Sequence, residues 1–153
     1  MGAEAKLKQL GITLPAQMSV PAANFVPSVR VGNLLFVAGH GPIRDGKPTI
    51  RGKLGKELSV EDGYKVAREV GLILLTTTRV ALGSLDKVKR VVKVLGMVAS
   101  TEGFTDQSKV INGFSDLMVE VFGDAGRHAR SAVGMAELPF GIPVEIEMIL
   151  EVE

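Results

Sequence analysis

A chain of 153 residues, 46% hydrophobic and 23% charged, has the length of one ordinary domain and enough apolar content to bury a core, which excludes a disordered polymer. The formal net charge of +1 gives no long-range attraction for nucleic acid, a membrane surface or an acidic polymer. Cysteine is absent, which excludes disulfide stapling and thiolate catalysis and suits a reducing compartment.

In chain order, residues 3–10 fit a short helix with Leu7 and Leu10 on one side and Gly11 as its stop. The segment Ile12–Pro27 holds Pro15, Pro21 and Pro27 and completes an irregular lead-in over residues 1–27. Ser28–Val31 and Leu34–Ala38 are β-rich runs joined by Gly32-Asn33, a link suited to a primed hairpin turn because both residues tolerate positive φ. Residues 39–58, rich in Gly, Lys and Arg, read as a long loop with room for a short strand. Ser59 then opens a helix. With Asp62 it resembles a capping box, and Tyr64, Ala67, Val70, Leu74, Leu75 and Thr78 recur at helical spacing before Gly83. Val88–Ala99 is too β-branched to prefer helix and reads as a strand. Asp106–Phe122 carries the apolar stripe Val110, Ile111, Phe114, Leu117, Met118, Val121 and Phe122 of a second helix, which Gly123 closes. Ser131–Leu138 and Val144–Val152, on either side of the turn Pro139–Pro143, are the last strands.

The order β-β-α-β-α-β-β predicts an α+β fold: one mixed sheet with two helices packed on one face, formed by a single domain over residues 1–153. Two helices cover one face only. Simple alternation along Val88–Ala99 puts Val88, Val92, Val94 and Val98 on one side and Val91, Leu95 and Met97 on the other. A strand apolar on both sides needs cover on both. A second copy of the chain is the expected cover, so self-association is predicted.

No run reaches the ~20 apolar residues that cross a bilayer, and Met1–Leu10 carries Glu4, Lys6 and Lys8 where a signal peptide is apolar. The protein therefore reads as cytoplasmic, with no membrane partner. The two histidines, His40 and His128, lie far apart with no cysteine to join them, so no metal is expected.

The chemistry-bearing residues concentrate in the last third. Arg127, His128, Arg130 and Ser131 enter a strand, and Glu145 and Glu147 share one face of the final strand, opposite the apolar even positions 144–152. Carboxylates in an interface need a cation or water, because an unpaired desolvated charge is costly. An arginine clamping a substrate carboxylate bidentately, with a glutamate to orient or activate water, makes a small-acid site. Each residue also has a plainer explanation. Arg130 alone suits a solvated surface, Glu145 and Glu147 suit a wet strand face, His40 sits in a Gly-rich turn, and Asn112 fits a helix surface. Gly39-His40-Gly41 is too short for a dinucleotide fingerprint. The basic run Arg51–Lys56 lacks aromatic residues on which bases would stack.

The segments Gly32–Pro42, Asn112, Ala129-Arg130-Ser131, and Leu138-Pro139 leading to Val144-Glu145-Ile146-Glu147 together resemble the RidA (YjgF) family, in order and spacing, from about residue 24 to residue 152. The N-terminal segment and the Gly-Pro-Ile-Arg-Asp-Gly loop resemble a longer branch of it. The resemblance implies a chorismate-mutase-like fold, a homotrimer with clefts between subunits, no cofactor, and hydrolysis of reactive 2-imino (enamine) acids to 2-oxo acids and ammonia. It also implies roles: Arg130 grips the substrate carboxylate, Glu145 stands near the imine and its water, and Asn112 and Gly39 line the cleft. Phe25 stands where the family carries tyrosine, Ala132 where it carries cysteine, and His40 where many relatives carry glutamine. Two other activities remain open at this point. One is a non-catalytic module that binds a small carboxylate metabolite. The other is ribonuclease activity, a label attached to some relatives, for which the sequence has no aromatic platform, a net charge near zero and no paired histidines.

Overall fold

The computed structural model describes residues 1–16 and 23–153; residues 17–22, within the expected lead-in, lie outside the described residues. Helix α1 (Ala3–Gln9) buries Leu7, and Gly11 takes φ 67° just beyond it. Strands β1 (Ser28–Val31) and β2 (Leu34–His40) form the expected antiparallel hairpin. Of its two turn residues only Gly32 has positive φ, 58°. That is the requirement of a II′ turn, so the turn does not use the left-handed tolerance of Asn33. The following stretch is not all loop. Strands β3 (Ile43–Arg44) and β4 (Lys47–Pro48) pair around Asp45-Gly46, both at positive φ, as a type I′ turn demands.

Helix α2 (Val60–Leu82) begins with the predicted capping box: the Asp62 backbone N–H donates to Ser59 Oγ at 3.1 Å, and the Ser59 N–H donates to Asp62 Oδ2 at 2.9 Å. It ends at Gly83, left-handed with φ 82°. Strand β5 (Val88–Ala99) leads to α3 (Gln107–Phe122), then to β6 (Ala129–Met135) and β7 (Val144–Val152). Strand β6 begins and ends earlier than the predicted Ser131–Leu138. It pairs in parallel with β5 from Lys93↔Ala129 to Ala99↔Met135, and the ladder stops where β5 stops.

Among the described residues, five strands form the main sheet in the order β1-β2-β7-β5-β6. The β5–β6 pair is parallel and the others antiparallel. Helix α3 is the crossover that a parallel pair requires. Both long helices cover one face, sealing Leu35, Val37, Val91, Val94, Val98, Ile146, Met148 and Leu150 beneath Val70, Leu74, Ile111, Phe114 and Leu117. The helices cross at very short range: a Cβ on Gly113 would overlap the Tyr64 carbonyl oxygen. None of the described helices is long and apolar enough to span a membrane.

The simple alternation expected for β5 needs correction. Its register against β7 slips between Val88 and Arg90 and again between Val91 and Lys93. The second slip moves Val91 to the helix side with Val94 and Val98, all fully buried, and turns Val92 outward. The open face keeps Leu95 and Met97 and adds Leu34, Phe36, Ile149 and Val133 from neighbouring strands, with Glu145, Glu147 and Lys93 among them. On β7 the predicted alternation holds, with every even position from Val144 to Val152 buried.

Candidate functional site

Arg130 sits near the start of β6, in register with buried Val94, so its side chain leaves the sheet on the helix side. There α3 receives it. Nη1 donates to Asn112 Oδ1 at 2.9 Å and to Ser115 Oγ at 3.1 Å, and Nη2 donates to the Ser108 carbonyl at 3.4 Å. These contacts fix the guanidinium plane and leave Nε–H and one Nη2–H without a partner among the described residues. Burial lowers its pKa from the ordinary guanidinium value, while Asp116 pulls the other way; it stays a cation at any physiological pH.

Ser115 was not singled out in the sequence, although Ser108, Asn112 and Ser115 follow at spacings of four and three along α3 and so share one face. Behind Ser115 lies His128, whose Nε2 is 2.9 Å from Ser115 Oγ and whose Nδ1 is 2.7 Å from the Gly126 carbonyl.

Glu145 projects from the other face. It pairs with Met97 on the open side of the sheet and is half-buried. The space it fills exists because residue 39 is glycine: a Cβ there would overlap Glu145 Oε2. Burial pushes the Glu145 carboxyl pKa above the usual carboxylate value, and neighbouring Glu147 adds to the shift. This is a carboxyl group suited to exchanging a proton with a reacting species.

The remaining predicted residues fall as follows. A bulge between Val37 and His40 returns His40 to the helix side, where it is buried. Its Nε2 bonds Thr77 Oγ1 of α2 at 2.8 Å and its Nδ1 lies 2.6 Å from the Ala38 carbonyl. Burial lowers its pKa, against a smaller opposing effect of the Ala38 carbonyl. Ala132 pairs with Gly96 on the helix side and packs against the core. Phe25 precedes β1 and is 53% exposed. The fold thus brings Arg130 to Asn112, and Gly39 to Glu145, but sets these two pairs on opposite faces of one sheet. Beside Glu147, the open face has a depression of about 420 Å³ lined by Val29, Phe36, Lys93, Leu95 and Ile149. Among the described residues, no three His, Cys, Asp or Glu side chains converge as metal ligands would.

A mixed sheet backed by two helices, with a fixed arginine on an edge strand and a half-buried glutamate on the face away from the helices, defines an α+β protein. Residues 4–145 match the family model described as "YjgF/chorismate_mutase-like, putative endoribonuclease". The chain is 47% identical over 148 residues to protein TCP17 of Trypanosoma cruzi, covering 96% of this chain and 92% of that one. Among solved structures, the protein Atu1372 of Agrobacterium tumefaciens is 43% identical with TM-score 0.89, covering 99% of this chain and 92% of that one. A protein of Shewanella oneidensis, described as "a putative endoribonuclease", is 28% identical with TM-score 0.92, covering 99% of this chain and 100% of that one. The chain belongs to the YjgF/Rid family and has its chorismate-mutase-like fold.

Proposed function

We propose that this protein hydrolyses reactive 2-imino acids to 2-oxo acids and ammonia, at clefts formed between copies of the chain in a homotrimer. The observation that carries this is the half-buried, proton-accepting Glu145 carboxyl lodged against Gly39 on the face that the helices leave bare. Arg130 supplies the anchor. Since Arg130 and Glu145 lie on opposite faces of one sheet, a ligand can touch both only where two copies meet.

The chemistry asks little of the protein. Ionised Glu145 accepts a proton from water as the water oxygen bonds to the C=N carbon, and it hands that proton to the nitrogen, which receives the π electron pair. The resulting carbinolamine then collapses: its hydroxyl proton passes through Glu145 to the nitrogen, the C–N bond breaks with its electron pair leaving on ammonia, and the oxygen forms the C=O of the 2-oxo acid. Orientation by the guanidinium and one positioned water are the contributions required.

The test generates 2-imino acids with an amino-acid oxidase and traps them with semicarbazide. The protein is expected to compete with the trap. Arg130→Ala is expected to raise the KM by about tenfold or more, the worth of a lost charge-assisted carboxylate clamp. No acceleration by the wild-type protein, or equal acceleration by Arg130→Ala, would end the proposal.

A second possibility is a non-catalytic sensor of a small carboxylate. It is favoured by Phe25, an exposed ring with no hydroxyl to hold a ligand or water. Thermal stabilisation by 2-oxo acids with no turnover would select it. RNA cleavage finds no support in the histidines, because both ring nitrogens of His40 and of His128 are engaged within the chain.

A further inference from the structure

We infer that Ser115 and His128 are positioning residues that set the orientation of the Arg130 guanidinium through a one-directional hydrogen-bond chain running Arg130, Ser115, His128, Gly126. The inference rests on the assignment of Arg130 as the carboxylate anchor and extends it to two side chains that never touch the ligand.

The direction of the chain follows from donor and acceptor inventory. A backbone carbonyl only accepts, so His128 Nδ1, 2.7 Å from the Gly126 oxygen, must carry the hydrogen. In the neutral ring Nε2 is then an acceptor, and the hydroxyl 2.9 Å away on Ser115 must donate to it. With its proton committed, Ser115 Oγ turns lone pairs toward Arg130 Nη1, 3.1 Å away. The Asn112 side chain bonds the same Nη1 at 2.9 Å, so both hydrogens of that nitrogen are claimed and the fork cannot rotate about its last bond.

The far end is anchored as firmly. Gly126 packs so close to α3 that a Cβ would overlap the Met118 carbonyl oxygen, which holds its own carbonyl in place. The Phe114 ring meets the imidazole edge-on, with centroids 5.8 Å apart and planes at 66°. His128, just before β6, and Arg130 within it both reach Ser115 of α3. Burial lowers the His128 pKa and so favours the neutral ring; the Gly126 carbonyl opposes this, and the like charge of Arg130 adds to the lowering.

Two measurements test this. Nitrogen-15 NMR of the wild-type imidazoles near neutral pH should find His128 as the neutral Nδ1–H tautomer; a charged ring or the Nε2–H tautomer would overturn the chain with no reference to ligand. Calorimetric titration with 2-oxobutyrate and with its neutral carboxamide then compares variants whose fold is checked by thermal melting. Ser115→Ala should weaken 2-oxobutyrate about fivefold, the scale of one typical hydrogen bond, while Ser115→Thr, which keeps the hydroxyl, stays within about twofold of wild type. His128→Phe should weaken it less than Ser115→Ala, and the carboxamide should respond to none of them. If Arg130→Ala loses 2-oxobutyrate while Ser115→Ala binds as wild type, the positioning role is wrong and the anchor stands. If Arg130→Ala itself binds unchanged, the anchor is wrong and the positioning role goes with it.

Discussion

Gly39 and the Glu145 carboxyl occupy adjoining space that a single added methyl would fill. The obstructing atom is the end of a flexible side chain, so Gly39→Ala should fold and push the carboxylate aside. The expected result is near-native thermal stability with imine hydrolysis reduced by at least about tenfold, since displacement of a reacting group by an ångström can cost ~10²-fold. The histidines give a different prediction. Burial lowers the pKa of His40 below its ordinary 6.5, so just below that pH the unfolded chain binds a proton that the folded chain refuses. Stability therefore rises with pH through that window: the contribution is complete above 6.5 and is lost as pH falls toward the depressed folded value. His128 acts with the same sign. Melting temperature should fall as pH is lowered through the ordinary histidine value of 6.5, and His40→Gln should flatten the fall. At this scale much was readable in advance. Alternation alone put Glu145 and Glu147 on the bare face. The inward turn of His40 was not readable, because it depends on a bulge in β2 whose cause lies in its pairing with β7.

The two long helices owe their closeness to Gly113, Gly63 and Gly71, whose missing side chains admit the Tyr64 backbone, Val110 and Leu117 respectively. Gly113→Ala meets backbone, which cannot swing away, and should destabilise the protein by about 1–3 kcal/mol in urea unfolding, the usual cost of overpacking. A variant as stable as wild type would show that the helices can separate freely. Helix ends were legible because caps are local: Ser59, Asp62 and Gly83 act within a few residues of themselves. The Asp45-Gly46 hairpin is equally local, but the surrounding glycines and lysines mask its turn signal. Strand phase was another matter. The slips near Val88 and Val92 are set by which residue of β7 lies opposite, and periodicity within one segment holds no record of its neighbour's register.

The bare face of the sheet displays Phe36 at 41% and Val133 at 39% exposure, with Leu95 between them on β5. Leu95→Glu would set a third carboxylate beside Glu147 and Glu145, tolerable in water and costly between subunits. In sedimentation the wild-type protein should run as a trimer and this variant as a folded monomer. A wild-type monomer would remove the composite cleft altogether.

The proposed pairing of Arg130 and Glu145 across a junction between copies, from opposite sides of one sheet, would make each chain the bearer of two half-sites, neither of which is any use to the other. Two inactive proteins, one lacking the guanidinium and the other the carboxyl, should then cure each other when unfolded together and reassembled at random, since about one junction in four would unite two intact halves. An allele damaged at either position would be rescued by an allele damaged at the other.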